Sequence, residues 1–308
     1  MSYKITHTTT YDYTDSVSLS HHLLRLAPRD LPHQRCLNHD VQIVPQPAIA
    51  ERHFDYFGNA VTFLTIEGAH KKLVVTSESQ VSVTPHVMPA PAETLAWETV
   101  RSSSRGRQMG QALEANEFVF DSPLVKTTGD YADYAAPFFT KNRPVLEAAL
   151  DLTQRIHADF KFDPKATTLA TPLKDVFKNR RGVCQDFAQL QIACFRSLGL
   201  PARYVSGYLE TDPPSGKPRS VGADASHAGV SFYCHGIGWI DVDPTNNVLP
   251  TTRHITVAYG RDYDDVSPIR GVILGTGEHT LKVAVDVLAI EEPPKIVAEK
   301  FLSNATSS

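Results

Sequence analysis

The segment from residue 182 to residue 201 constrains the fold more than any other part of the chain. Its apolar residues recur at helical spacing, and the Gly-Leu-Pro at 199–201 is a strong helix end. A glycine marks the entry, so we expect the helix to begin at about Val183 to Cys184. The predicted buried stripe consists of Val183, Phe187, Leu190, Cys194 and Leu198. Cys194 is therefore expected in the core, whereas Cys184 lies off the stripe and in the first turn.

A cysteine at the start of a helix is well placed for nucleophilic chemistry. Cysteine attacks as its thiolate, and a free thiol with a pKa of ~8.5 supplies little thiolate at neutral pH. The positive end of a helix dipole and a neighbouring imidazolium both stabilise a thiolate. The unpaired N–H groups of the first turn can also hold the oxyanion that forms during acyl transfer. Cys184 has the helix start by position, and the imidazolium has to come from one of the 13 histidines of the chain.

Two alternating segments, residues 227–234 and 238–243, predict an antiparallel hairpin. A turn centred near residue 235 places His227 opposite Asp243, directly or within one or two residues of register. Asp241 shares that face by alternation but is a diagonal neighbour at best. A His–carboxylate pair beside Cys184 is the arrangement that a Cys–His–Asp triad requires. Spacing alone leaves open an ordinary cross-strand ion pair beside an inert cysteine.

The rest of the chain predicts an α+β protein. Short alternating segments separated by Pro, Gly and Asn are typical of an N-terminal β-sandwich module, which we assign to residues 1–85. A Pro-rich linker and a connecting segment cover residues 86–142. Residues 143–290 are expected to form the catalytic core, which begins with a helix whose first turn contains Pro144. The small, polar tail at 291–308 is expected to be flexible.

Charge and composition argue against several classes of partner. The net charge is −4 and the basic residues are scattered, so neither nucleic acid nor a membrane surface is an expected partner. The short basic stretch at 101–107 is interpreted as an exposed loop. The N-terminus lacks the apolar core of a secretory signal, and no segment approaches the ~18 apolar residues of a membrane span. We therefore expect a cytoplasmic protein.

No metal or other cofactor is predicted. The four cysteines form no C-x-x-C pair, and a reducing compartment disfavours disulfides. His21 and His22 are interpreted as a surface or hydrogen-bonded pair, because no partner follows at the spacing of a metal ligand. The acidic cluster at 262–265 lacks the spacing of a calcium loop and is interpreted as a solvated turn.

Four segments in order resemble the transglutaminase-like superfamily. They are Gly182-Val-Cys184-Gln-Asp-Phe-Ala, Gly199-Leu-Pro-Ala-Arg-Tyr-Val-Ser-Gly-Tyr, Ser226-His227-Ala and Gly238-Trp-Ile-Asp-Val-Asp243-Pro-Thr-Asn. The run from His254 to Tyr263, followed by Gly271, resembles the continuation seen in bacterial members, and the first ~85 residues resemble the β-rich module that accompanies such cores. The resemblance implies a papain-like core with Cys184, His227 and Asp243 as its catalytic triad.

The resemblance also implies the reaction class. We expect cysteine-dependent acyl transfer on a glutamine carboxamide or a peptide bond through a thioester, with a protein or peptide as substrate and a primary amine as a candidate acceptor. Two alternatives stay open: a cysteine peptidase or amidase with the same triad, and a non-catalytic peptide-binding or scaffold protein. The fold does not choose among them, and the oligomeric state is not predicted.

Overall fold

The computed structural model describes residues 1–103, 111–211 and 226–290, without the side chains of residues 111 and 112. The tail predicted at 291–308 and positions 104–107 of the basic stretch lie outside the described residues.

The described residues form strands and helices in the following order. The strands are β1 (Ser2–Leu24), β2 (Gln34–Val44), β3 (Ile49–Phe54), β4 (Ala60–Val83), β5 (Lys161–Phe162), β6 (Arg181–Gly182), β7 (Ala202–Leu209), β8 (Ser226–Cys234), β9 (Gly238–Val242), β10 (His254–Gly260), β11 (Ile269–Leu274) and β12 (His279–Ile290). The α-helices are α1 (Trp97–Ser103), α2 (Gln111–Asn116), α3 (Gly129–Ala135), α4 (Val145–Asp159), α5 (Leu173–Asn179), α6 (Cys184–Ser197) and α7 (Tyr263–Val266).

The N-terminal module is a six-stranded antiparallel sheet. β1 and β4, 23 and 24 residues long, pair from Ser2↔Ser82 to Leu24↔Thr62. β2 and β3 extend the sheet beside β4, and β11 and β12 extend it beside β1. The module is strand-rich, as predicted, and its strands form one continuous sheet because β1 and β4 run along its whole length. Strands β1, β2, β4 and β11 contribute side chains to one apolar cluster.

The last two strands belong to this N-terminal sheet. β12 pairs with β1 from Ser2↔Ile290 to Tyr13↔His279, and β11 pairs with β1 from Leu19↔Leu274 to Leu24↔Ile269. The sequence-based division had placed both strands in the core at 143–290. An alternating segment shows that it is a strand but does not show which sheet it joins, so this long-range pairing has no local signal.

The core is built on a second antiparallel sheet, with the strand order β10-β7-β8-β9. α6 packs on one face of it, where Phe195 stacks on Phe232 of β8 with ring centroids 5.1 Å apart. The N-terminal module holds the outer edge of β10. The side-chain amide of Gln34 bonds to the backbone N–H and C=O of Thr256, and that of Asn59 bonds to the same groups of Tyr259. The module therefore positions β10, the strand that begins at His254.

α6 begins and ends where the sequence predicts, but it is buried on all sides. Every residue from Asp186 to Arg196 is buried, because α3, α4 and α5 also pack against the helix. The buried Arg196 guanidinium donates to the backbone carbonyls of Phe118, Ala202 and Arg261. The buried surface of α6 is thus wider than the one-sided stripe that the sequence predicts. Cys194 is fully buried, as predicted.

Two interpretations of charged or polar clusters are corrected. His22 is 4% exposed and neither of its ring nitrogens has a hydrogen-bond partner among the described residues, so it is neither at the surface nor hydrogen-bonded. Burial, followed by His70 and His21, lowers the pKa of His22 to about 4. In the acidic cluster, Asp262 is fully buried and caps α7 by accepting the N–H of Asp264, so this segment is not a solvated turn.

All four cysteines are free thiols. None of the helices in the described ranges combines the length and the apolar character needed to cross a membrane.

Candidate active site

Cys184 is the first residue of α6 and is partly exposed, packed against the edge of the main apolar cluster. The preceding Val183 has extended backbone angles, with φ −116° and ψ 179°, so the chain enters the helix sharply. The first intrahelical bond runs from the N–H of Asp186 to the carbonyl of Val183. The N–H groups of Cys184 and Gln185 therefore precede the helical bonding pattern, and such groups can hold an oxyanion.

Asp186 fixes this helix start. Its carboxylate accepts the backbone N–H of Val183 at 2.8 Å and the hydroxyl of Thr167 at 2.7 Å. Burial raises the pKa of Asp186, and these two hydrogen bonds oppose the rise. A Cβ atom on Gly182 would lie 2.6 Å from Oδ2 of Asp186, so only glycine fits there. Gly182 is thus required by the packing of the helix start.

The hairpin β8–β9 carries the other two predicted residues, with a register that differs from the expected one. The pairs Val230↔Val242 and Cys234↔Gly238 centre the turn on Gly236, which has a φ of +84°. The register is therefore shifted by two residues, within the range that the sequence allowed. His227 and Asp243 still meet, with Nε2 of His227 2.7 Å from Oδ2 of Asp243. The alternative carboxylate, Asp241, pairs with Ser231 farther along the ladder.

Asp243 is fully buried and holds several hydrogen bonds. Its Oδ1 accepts the backbone N–H groups of Thr245 and Asn246 at 2.9 and 3.1 Å. Its Oδ2 accepts from His227, from the side-chain amide of Asn246 at 2.7 Å and from Nε2 of His254 at 3.1 Å. Burial would raise the pKa of Asp243, but the bonds from His227 and His254 outweigh it and hold the pKa well below its usual range. The carboxylate is therefore ionised and fixed in orientation.

His227 connects Asp243 to Cys184. Because Nε2 is bonded to Asp243, the other ring nitrogen, Nδ1, is the one left for an interaction with Cys184, which is among the groups that raise the pKa of His227. Burial would lower the pKa of His227, but the hydrogen bonds to Asp243 and Cys184 outweigh it and raise the pKa to about 10. The structure thus joins His227 to Asp243 by a hydrogen bond, and Cys184 lies close enough to the same imidazole to help raise its pKa, so the ring favours its charged form.

Sequence reasoning missed His254 and Asn246 as parts of this site. Asn246 reaches Asp243 through the turn after β9, and His254 reaches it because β10 pairs with β7, in the register His254↔Leu209. A short-range signal exists for Asn246, since an Asp that begins a turn accepts the backbone N–H two residues on and so brings the following residues against its carboxylate. The position of His254 depends on the assembled sheet.

Among the described residues, His227, Asp243 and His254 form a group that could hold a metal ion. Their candidate ligand atoms lie within 4.8 Å of one another. The hydrogen bonds argue against that use. Nδ1 of His254 accepts the backbone N–H of Thr251 at 3.1 Å, so the ring carries its proton on Nε2. A protonated nitrogen has no lone pair for a metal, and the three side chains are satisfied as a hydrogen-bonded cluster.

Two family models match the chain. Residues 3–82 match the bacterial transglutaminase-like N-terminal region, and residues 132–244 match the transglutaminase-like superfamily. An uncharacterized protein of Mycobacterium tuberculosis is 40% identical over 295 residues, which cover 94% of this chain and 93% of that protein. The protein-glutamine gamma-glutamyltransferase of Pseudomonas aeruginosa is 33% identical over 99 residues, which cover 30% of this chain and only 15% of that protein.

Among solved structures, a candidate cysteine protease from Cytophaga hutchinsonii has a similar fold. The TM-score is 0.73 at 22% sequence identity, and the match covers 96% of this chain and 93% of the other. The α+β architecture, with a cysteine-bearing helix on an antiparallel sheet, is the papain-like core that the sequence predicts. The chain therefore belongs to the transglutaminase-like superfamily, with the bacterial transglutaminase-like N-terminal region ahead of its core.

Proposed function

We propose that the protein is a cysteine acyltransferase that acts on glutamine carboxamides of a protein or peptide, with Cys184 as nucleophile, His227 as acid and base, and Asp243 as the residue that orients His227. The observation that carries the proposal is the hydrogen bond between the His227 imidazole and the buried Asp243 carboxylate, on a ring whose pKa is raised by Asp243 and by the neighbouring Cys184. The position of Cys184 at the start of a 14-residue helix supports it.

In the first half of the reaction, the Cys184 thiolate attacks the carboxamide carbon. The N–H groups at the start of α6 hold the oxyanion. The His227 imidazolium then gives its proton to the leaving nitrogen, so that ammonia departs and a thioester with Cys184 remains. Asp243 keeps Nε2 of His227 bonded throughout, so that Nδ1 faces the thiol.

In the second half, a nucleophile releases the acyl group. A primary amine loses a proton to His227, attacks the thioester and leaves an amide, and Cys184 regains its thiolate form. Water in the same position would leave a carboxylate instead. The relative from Pseudomonas aeruginosa is named a glutamyltransferase, and this name favours an amine as the acceptor. That relative matches this chain over 99 residues.

The test is mass spectrometry of glutamine-containing peptides incubated with the protein and a primary amine. Amine-adducted glutamines that vanish with Cys184→Ala are the expected result. The matched control is Cys36→Ala, the same substitution at a partly exposed cysteine in β2. Cys184-dependent deamidation or cleavage without adducts would replace the transferase with an amidase or peptidase. No Cys184-dependent product of any kind would favour a peptide-binding protein without turnover.

A further inference from the structure

The hydrogen bonds of His254 indicate a role for this second histidine of the site. We propose that His254 is a positioning residue that keeps the positive charge of the buried cluster on His227. It does so by donating from Nε2 to Asp243 while the backbone N–H of Thr251 keeps its Nδ1 free of a proton. This inference rests on the proposed function, because a charged His227 matters for catalysis only where Cys184 reacts as a thiolate. His254 lies outside residues 132–244, which match the superfamily core.

Two imidazole rings share one carboxylate oxygen in this cluster. Nε2 of His227 lies 2.7 Å from Oδ2 of Asp243, and Nε2 of His254 lies 3.1 Å from the same atom. Both rings therefore present an N–H to the carboxylate, and either ring could take the additional proton at Nδ1. The surroundings of the two Nδ1 atoms decide which ring becomes charged.

The two Nδ1 atoms have opposite surroundings. Nδ1 of His254 accepts the backbone N–H of Thr251 at 3.1 Å. A backbone N–H cannot accept a hydrogen bond. A proton on Nδ1 of His254 would therefore place two donors opposite each other and break the bond. Nδ1 of His227 faces no such donor among the described residues; Cys184 is instead a group that raises the pKa of this ring, and its thiolate would accept a hydrogen bond from a protonated Nδ1. The charge therefore resides on His227.

The fold holds His254 firmly in this role. The N–H of His254 donates to the carbonyl of Thr251 at 3.1 Å, which closes the turn that presents the Thr251 N–H. Two residues on, Thr256 is held by Gln34 of the N-terminal module. The His254 and His227 rings meet edge to face, with centroids 5.8 Å apart, so His254 also limits rotation of the His227 ring.

The other titratable groups beside His254 line two small cavities. His33 and His86 line one of them, Tyr208 lines the other, and Asp241 lines both. Burial and the neighbouring His86 lower the pKa of His33, and burial raises the pKa of Tyr208, so both groups are neutral near pH 7. Asp241 opposes the lowering of the pKa of His33, and within the described residues it makes no hydrogen bond to His254 or His227.

The first experiment needs no substrate. Nitrogen-15 NMR of histidine-labelled protein distinguishes protonated from unprotonated ring nitrogens, and His254→Gln and His227→Gln assign the signals. Between pH 6 and 8 we expect His227 to carry protons on both nitrogens and His254 to carry one on Nε2 alone. A doubly protonated His254 beside a singly protonated His227 would overturn the inference, whether or not the protein transfers acyl groups.

The second experiment changes the hydrogen-bond donors around His254, namely the Thr251 N–H and the His254 side chain itself. It follows the alkylation of Cys184 by iodoacetamide at pH 7. Thr251→Pro removes the N–H that His254 accepts, and Thr251→Ala keeps it as the matched control. We expect the proline variant to react about tenfold more slowly and the alanine variant to react within about twofold of the wild type.

His254→Gln, whose amide can still donate to Asp243, should stay within about threefold of the wild-type rate. His254→Phe leaves no second ring to take the charge but removes the donor that holds the Asp243 carboxylate against His227, and it should lose about tenfold. Thermal denaturation identifies any variant that has lost its fold. If Thr251→Pro does not fold, the comparison of His254→Gln with His254→Phe tests the role of His254. Equal rates for His254→Phe and the wild type would contradict the inference. Slow alkylation of Cys184 in the wild type itself would count against the proposed function instead.

Discussion

Replacing Asp243 with asparagine should disable the site while adding no volume to it. Oδ1 of Asp243 accepts two backbone N–H groups, so an asparagine keeps its oxygen there and turns its NH2 group towards His227. His227 must then accept at Nε2 and carry its proton on Nδ1, which faces Cys184. A ring in that tautomer cannot take the proton of the thiol.

The expected loss has two parts. Against the opposing effect of burial, the hydrogen bonds to Asp243 and Cys184 raise the pKa of His227 to about 10. Without the carboxylate the pKa returns towards the ordinary value of about 6.5, which leaves roughly a tenth of the rings charged at pH 7.5. The alkylation rate of Cys184 should therefore fall about tenfold. Turnover also needs the correct tautomer, and we expect it to fall by about 10³ to 10⁴.

The assay is the second-order rate of Cys184 alkylation by iodoacetamide from pH 5 to pH 10, with the modified residue identified by mass spectrometry. Asp241→Asn is the matched control, because Asp241 lies on the neighbouring β9 strand and pairs with Ser231. The reasoning is refuted if Asp243→Asn reacts at the wild-type rate with the wild-type pH profile, or if Asp241→Asn has the larger effect.

Three further predictions concern stability and selectivity. Gly182→Ala should lower the free energy of unfolding by about 2–3 kcal/mol, because its Cβ would lie 2.6 Å from Oδ2 of Asp186. Gly129→Ala meets nothing within 4 Å and is the control in urea denaturation, where equal losses would contradict the packing argument. The raised pKa of His227 means that its contribution to stability is complete below about pH 6.5 and is lost as the pH rises through about 10. The denaturation midpoint should accordingly fall over that range, and fall less in Asp243→Asn. Finally, peptide mapping after brief alkylation at neutral pH should find Cys184 modified before Cys36, because burial and Asp30 raise the pKa of the Cys36 thiol; the reverse order would argue against an activated Cys184.

The helix that carries Cys184 could be predicted because its signals are local. Helical spacing, an entry glycine and a Gly-Leu-Pro end all lie within 20 residues, and the observed helix spans Cys184–Ser197. The extent of its burial could not be predicted, since the polar side of α6 is covered by helices that are distant in sequence. Gln191, for example, donates to Thr153 of α4, and nothing near Gln191 in the chain indicates that bond.

The hairpin shows how far register arguments reach. Alternation correctly assigns His227 and Asp243 to one face, but the turn is centred one residue later than expected, which shifts the pairs by two. The side chains still meet because Asp243 lies just beyond the end of β9 and is turned by its own bonds to Thr245 and Asn246. Such a turn after the strand is a short-range feature that the ladder alone does not describe.

The parts that could not be predicted depend on long-range pairing. His254 joins the site through the β10–β7 ladder, and β12 returns to β1 across almost the whole chain. In both cases the segment is a recognisable strand, but its partner is decided by the assembled fold. The second histidine of the site therefore becomes visible only in the structure.

The covalent thioester on Cys184 can be looked for directly. The protein is mixed with a glutamine-containing peptide, quenched with acid within seconds and analysed as the intact protein by mass spectrometry. The account predicts an adduct equal to the peptide less ammonia, mapped to Cys184, sensitive to hydroxylamine and absent in Cys184→Ala. An adduct on another cysteine, or products that form equally well with Cys184→Ala, would contradict it.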